Sequence, residues 1–302
     1  MKKLILILSV LMLFPYLSAA ETVVTSFYPV WVMTLNLTRG LENSLSVRNL
    51  AAPSVGCLHD YQLQTADMKI LSDADAFLVN GAGMESFLPE IIHALPDLPI
   101  IEASVGIDLL ENVETVELLG PDEEETVNSH VWLDPSRAIH MAENLASGLS
   151  CLFPSDQKMI MSNLEDYRTR LTALDQELRD GLQGLSHRNI VTFHEAFPYF
   201  ADAYDLHVVA VVNREPGEVL TPSQIGSLAR EIIRLGNPPL FVEPQYTDLS
   251  ARTLARETGS SVYSLDPMVT GPEEKVPLDY YETVMRQNME NLIEALSAGS
   301  PQ

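Results

Sequence analysis

Residues 155–185 run SDQKMIMSNLEDYRTRLTALDQELRDGLQGL. Leu164, Tyr167, Leu171, Leu174, Leu178, Leu182 and Leu185 recur at intervals of three and four, which lines up one apolar face of a helix. Ser155 is placed to cap the amino end, with Asp156 in the first turn to meet the positive end of the helix dipole. About 30 residues at 1.5 Å each make a rod of roughly 45 Å. That is longer than an ordinary globular helix and long enough to brace two lobes.

Runs with strand character flank this helix in equal number. Thr22–Tyr28, Leu45–Ala51, Ala76–Asn80 and Pro99–Ala103 precede it; Asn189–Phe193, Val208–Val212, Leu240–Val242 and Ser261–Leu265 follow it. Between them Leu63–Leu71, Ser136–Leu149, Pro222–Leu235 and Asp248–Thr258 carry helical periodicity. Alternating strands and helices build parallel sheets covered by helices. The expected class is α/β, with two similar lobes of parallel sheet flanked by helices and joined by one long rigid backbone helix. The expected division is a signal peptide over 1–20, an N-terminal lobe over 21–153, the linking helix over 154–186 and a C-terminal lobe over 187–302.

The signal peptide follows from Met1-Lys2-Lys3, an apolar run from Leu4 to Leu17, and Ser18-Ala19-Ala20 as a small-residue cleavage site. The run is short and broken by Pro15, so it does not read as a transmembrane span. No cysteine stands at the cut to carry a lipid. The chain is therefore expected outside the cytoplasm, in the periplasm or secreted, as a monomer without stable membrane insertion. Its 302 residues carry 18 Lys and Arg against 42 Asp and Glu, a net charge of −24. Such a surface repels nucleic acid and anionic lipid and suits the gathering of cations. Seven of the acids fall in Glu111–Glu125, read as a solvated loop.

Ligands of open α/β sheets bind beyond the carboxyl ends of the strands. His59 follows the second run, His130 opens the short run His130-Val131-Trp132-Leu133, His194 ends the fifth run and Asp266 ends the last. Three imidazoles and one carboxylate make a complete tetrahedral set for a divalent metal. His93, His140 and His187 lie in or beside helices and read as surface residues, and His207 starts a strand rather than ending one. Cys57 and Cys151 show no ligand spacing with each other. Each is expected as a buried thiol, with a disulfide between them as the alternative in an oxidising compartment. Cys57, two residues from His59, is also a soft donor.

Enzyme signatures are absent from the sequence. Asn80-Gly81-Ala82-Gly83 has only two glycines of a dinucleotide fingerprint and reads as a strand-to-helix turn. No nucleophile elbow or phosphate loop is present. A filled four-ligand shell leaves no position for a catalytic water, so the chain is not expected to be an enzyme. An envelope zinc hydrolase, with Glu195 or Glu243 as general base, is the alternative of another class.

Taken in order, these segments resemble the zinc- and manganese-binding receptors of ABC transporters. The resemblance rests on Ser26-Phe27-Tyr28-Pro29, His59-Asp60-Tyr61, Asn80-Gly81-Ala82-Gly83-Met84-Glu85, His130-Val131-Trp132-Leu133-Asp134-Pro135, His194-Glu195-Ala196-Phe197-Pro198-Tyr199, Val242-Glu243-Pro244-Gln245 and Leu265-Asp266-Pro267. It covers nearly the whole chain after residue 20. It implies a metal held in the cleft between the lobes and handed to an ABC permease in the inner membrane. It places the metal ligands on His59, His130, His194 and Asp266, with Glu243 in reserve. Two departures stand out: Gly56-Cys57-Leu58 replaces the Asp-Pro that often precedes the first histidine, and the stretch before His130 is acidic where zinc receptors often carry a His-rich loop. Three imidazoles to one carboxylate lean to Zn2+ as the transported ion, with Mn2+ or Fe2+ as alternatives.

Overall fold

The computed structural model describes residues 20–58, 61–111, 127–212 and 220–297. Residues 1–19, where a signal peptide is expected, His59 and most of the acidic stretch lie outside the described residues. The first sheet is made by β1 (Glu21–Thr25), β2 (Leu45–Asn49), β3 (Ala76–Val79) and β4 (Ile100–Glu102), in the order β2-β1-β3-β4. The second is made by β5 (Asn189–Thr192), β6 (His207–Val211), β7 (Leu240–Val242) and β8 (Val262–Ser264), in the order β6-β5-β7-β8. Every pairing is parallel. The two sheets thus repeat one topology, and each reverses direction between its first and third strands. Such a reversal opens a crevice at the carboxyl ends of those strands.

Helices α1 (Tyr28–Leu37), α2 (Thr65–Ser72), α3 (Leu88–Ala94) and α4 (Pro135–Leu152) belong to the first half. After α5 (Gln157–Leu182) come α6 (Pro198–Tyr204), α7 (Pro222–Arg234), α8 (Leu249–Thr258) and α9 (Tyr280–Leu296). Three of these had no counterpart in the sequence reading, α1, α6 and α9, while α3 follows the expected strand-to-helix turn. The first strand stops at Thr25 rather than Tyr28, because the chain turns there and Pro29 opens α1. Proline suits a first helical turn, where its missing N–H costs nothing.

The long helix α5 has 26 residues, about 39 Å of rise. It starts later than expected: Asp156 is the N-cap, in helical conformation and without a side-chain cap bond, so Ser155 does not cap it. Leu164, Tyr167, Leu171, Leu174, Leu178 and Leu182 are all buried, as their spacing requires. The helix packs on α1 and α4 of the first half and on α6 and α9 of the second. Arg170 shows how it braces both. Its guanidinium bonds Asn36 of α1 and Glu282 of α9, and it donates to the Leu278 carbonyl at 3.1 Å. One apolar cluster runs from Val23 and Phe77 of the first sheet through this helix to Phe241 and Tyr281 of the second half. The lobes therefore share a core and are not beads on a linker.

Candidate metal centre

His130 sits at the head of a short 3-10 turn, Val131–Leu133, that leads into α4. Asp134 caps that helix by accepting from the Ser136 backbone N–H at 2.8 Å, and Pro135 opens it. The turn is held from both halves of the chain. The Asn80 amide, just beyond β3, donates to the Ser129 carbonyl at 3.0 Å. The Trp132 indole donates to the Pro267 carbonyl at 2.8 Å, and the Tyr281 hydroxyl donates to the Trp132 carbonyl at 2.6 Å.

Asn128 orients the His130 ring. Its Nδ2 donates to the Glu195 carbonyl at 2.6 Å, so its Oδ1 must be the acceptor facing His130. That oxygen lies 3.0 Å from the His130 backbone N and 3.2 Å from Nδ1. The proton therefore belongs on Nδ1, and Nε2 presents its lone pair. This is the ring setting that a metal ligand needs. Asn128 itself is fixed by the Tyr199 hydroxyl, which donates to its carbonyl at 2.8 Å.

His194 lies two residues beyond β5, at the reversal of the second sheet. It and His130 are both buried, and their rings stand 5.1 Å apart, edge to face. Cys57 approaches from the chain after β2, with Sγ 3.4 Å from His130 Nε2. The ligating atoms of Cys57, His130 and His194 all lie within 4.8 Å of one another. That mutual limit admits neither Asp266 nor Glu243 among the described residues.

The two carboxylates form a second group on the C-terminal half. Glu243 follows β7 directly and is buried; Gln245 donates to its Oε2 at 2.5 Å, and its Oε1 has no partner among the described residues. Burial, and then the charge of Asp266, push the Glu243 carboxyl well above its ordinary value. Burial also raises Asp266, against the Met268 N–H that bonds its Oδ1 at 2.7 Å. The Asp266 backbone is clamped by Asn288 of α9, which accepts from its N–H and donates to its carbonyl, both at 2.8 Å.

The remaining expectations divide. His93, His140, His187 and His207 are exposed. Cys57 and Cys151 are not joined in a disulfide, and neither is fully buried: Cys57 is half-buried and Cys151 exposed. Asn80–Gly83 is a turn between β3 and α3, where Gly81 has a φ of 78° and a Cβ would strike the Glu102 carboxylate at 2.2 Å. The sequence reading did not find Asn128 or Asn288. An asparagine two residues before a histidine is the only sequence signal of the first.

A convergent set of two imidazoles and one thiol on a doubled α/β frame suits a divalent transition metal. Comparison with known proteins agrees. The family described as the periplasmic component A of the zinc-uptake complex matches residues 23–295. The chain belongs to this family. Among curated members of wider kin, the zinc-binding protein AdcA of Streptococcus pyogenes serotype M3 is 29% identical over 287 residues, covering 89% of this chain and 55% of AdcA. The manganese ABC transporter substrate-binding lipoprotein PsaA of Streptococcus mitis is 27% identical over 248 residues, covering 79% of this chain and 78% of PsaA. The crystal structure of Zn(II)-bound AdcA from Streptococcus pneumoniae superposes with a TM-score of 0.78 at 26% identity, over 93% of this chain and 59% of that one. The chain thus spans a little over half the length of the AdcA relatives, and it carries the zinc-uptake family fold across nearly all of its own. No helix among the described residues is long and apolar enough to cross a membrane.

Proposed function

We propose that this family member is an extracytoplasmic receptor that captures a divalent transition metal, Zn2+ above Mn2+ or Fe2+, and delivers it to an ABC permease. The observation that carries this reading is the meeting of two buried imidazoles from opposite halves of the chain, His130 and His194, with rings 5.1 Å apart. His59 and Asp266 complete the proposed set, and Glu243 stands behind it as a spare carboxylate. Imidazole-rich shells favour zinc over manganese. Four protein ligands suit carriage, whereas a hydrolase would keep one position for water. Export would remove residues 1–20, and the lobes 21–153 and 187–302 would flank the helix 154–186 as a monomer.

The test is elemental analysis of protein purified without added metal, followed by competition between zinc and manganese. One zinc per chain that excess manganese does not displace is the expected result. A chain that retains manganese, or takes up no metal, contradicts the proposal.

A further inference from the structure

We propose that the Cys57 sulfur is itself a ligand of the captured metal, taking the place of Asp266 in the four-ligand set because it and not that carboxylate meets the His130 and His194 donors, and that it sets the preference for soft ions. This rests on the receptor reading above and sharpens its ion class. A zinc–sulfur bond of about 2.3 Å and a zinc–nitrogen bond of about 2.0–2.1 Å at a tetrahedral angle place the two donors about 3.5 Å apart. Cys57 Sγ and His130 Nε2 are 3.4 Å apart, the edge of such a tetrahedron. The His194 donor completes the face, within 4.8 Å of both. Because Asn128 fixes the proton on Nδ1, the His130 lone pair is directed to the side where the sulfur lies.

The backbone presents Cys57 deliberately. Gly56 holds a left-handed φ of 88°, and a Cβ there would come within 3.1 Å of the Tyr246 hydroxyl. A side chain at residue 56 would thus press on the chain that follows Glu243, in the other half of the molecule. Leu58, on the far side of Cys57, is fully buried and anchors the turn. The sulfur is thereby delivered to the junction of the two halves from the first-half side. On coordination a sulfur–metal bond forms and the thiol proton leaves to solvent. A thiolate favours zinc, cadmium and cuprous copper over manganese.

Cobalt(II), which reports its ligands in its absorption, tests the assignment. Titration of the exported chain and of Cys151→Ser, Cys57→Ser and Cys57→Ala should show a near-ultraviolet sulfur-to-cobalt charge-transfer band in the first two only. All four should keep visible ligand-field bands. Zinc affinity should fall at least about tenfold in Cys57→Ser, since loss of even an outer partner costs 10–100-fold, while manganese affinity should stay unchanged. Ligand-field bands without charge transfer in the unmodified chain would overturn the sulfur ligand and leave the receptor reading standing. No cobalt or zinc binding in any form would overturn both. The wild-type spectrum decides the matter even if a variant fails to fold.

Discussion

Glu85 and Glu243 occupy comparable places in the two halves, a little beyond the third strand of each sheet, yet they do opposite things. Glu85 spends both oxygens on its own turn: Oε1 accepts from the Asn80 N–H at 2.8 Å and Oε2 from the Gly81 N–H at 3.0 Å. Burial pushes its carboxyl up to about 7, against those same N–H groups. Glu243 keeps one oxygen without a partner among the described residues and faces the charge of Asp266. The turn after β3 in the first half grips the His130 turn through Asn80. The second half brings His194 to the Cys57 and His130 donors and sets Glu243 and Asp266 apart as a buried carboxylate pair. A duplicated topology therefore does not duplicate the chemistry. The first half presents Cys57 and a His130 held by its Asn128, and the second presents His194 just past β5.

If both halves are needed, single losses on either side should be equally severe. His130→Ala and His194→Ala should each weaken zinc binding by orders of magnitude in calorimetric titration, while His93→Ala and His140→Ala, on exposed positions, should leave it unchanged. A His130→Ala chain with near-normal affinity would reduce the first half to a scaffold.

Protons should compete with the metal next most strongly. Imidazoles titrate near about 6.5 and ligate only when neutral. Burial raises the Asp266 and Glu243 carboxyls, so their protons compete at higher pH than those of free carboxylates would. Affinity should fall as pH drops from about 7 to 5, by up to about a thousandfold per unit where three protons enter. Titration in buffers of different ionisation enthalpy counts those protons, and Glu243→Gln should lower the count. The sign for the metal-free fold is opposite. A carboxyl raised by folding stabilises the native state below its folded value and loses that contribution as pH rises through it. Melting temperature without zinc should therefore lose the contribution of this pair on going from acid to neutral pH, while the gain on adding zinc grows.

Asn128→Ala asks how much the holding half contributes. It frees the His130 ring and removes the bond to the Glu195 carbonyl. Zinc affinity should fall about 10–100-fold, as for other partners that orient a ligand. No change would mean that packing alone sets the ring. Arg170→Ala probes the brace instead. It leaves buried Glu282 without its cation, at a cost of about 3 kcal/mol in unfolding free energy, with zinc affinity of the folded chain intact. Denaturant unfolding and titration of the same sample separate the two effects.

Much of this was legible in the sequence. The strands were, because runs such as Asn189–Thr192 are β-branched and bounded by turn or helix signals. So was the stripe of α5. The positions of His194 and Asp266 just past β5 and β8 were legible because each ends a β-branched or apolar run; that Asp266 does not join the imidazole donors was not. Helix α1 was not legible: eight of its ten residues are buried, so no polar face marks a period, and Phe27 and Tyr28 read as strand formers. Helix α9 hides its stripe because Asn288 and Glu282 sit on its buried side, one clamping Asp266 and the other paired with Arg170. The nearness of Cys57 to His130 was not legible either. It arises from two loops separated by 73 residues, and only the folded chain sets that distance.

A metal shared by the two halves is tested most directly by one double-mutant cycle, the zinc affinity of the wild-type chain, His130→Ala, His194→Ala and the double variant. One site shared by the two halves predicts strong non-additivity, with the double variant binding no worse than either single one. Losses that add, each half costing its own increment, would show two independent sites and contradict a metal held between the halves.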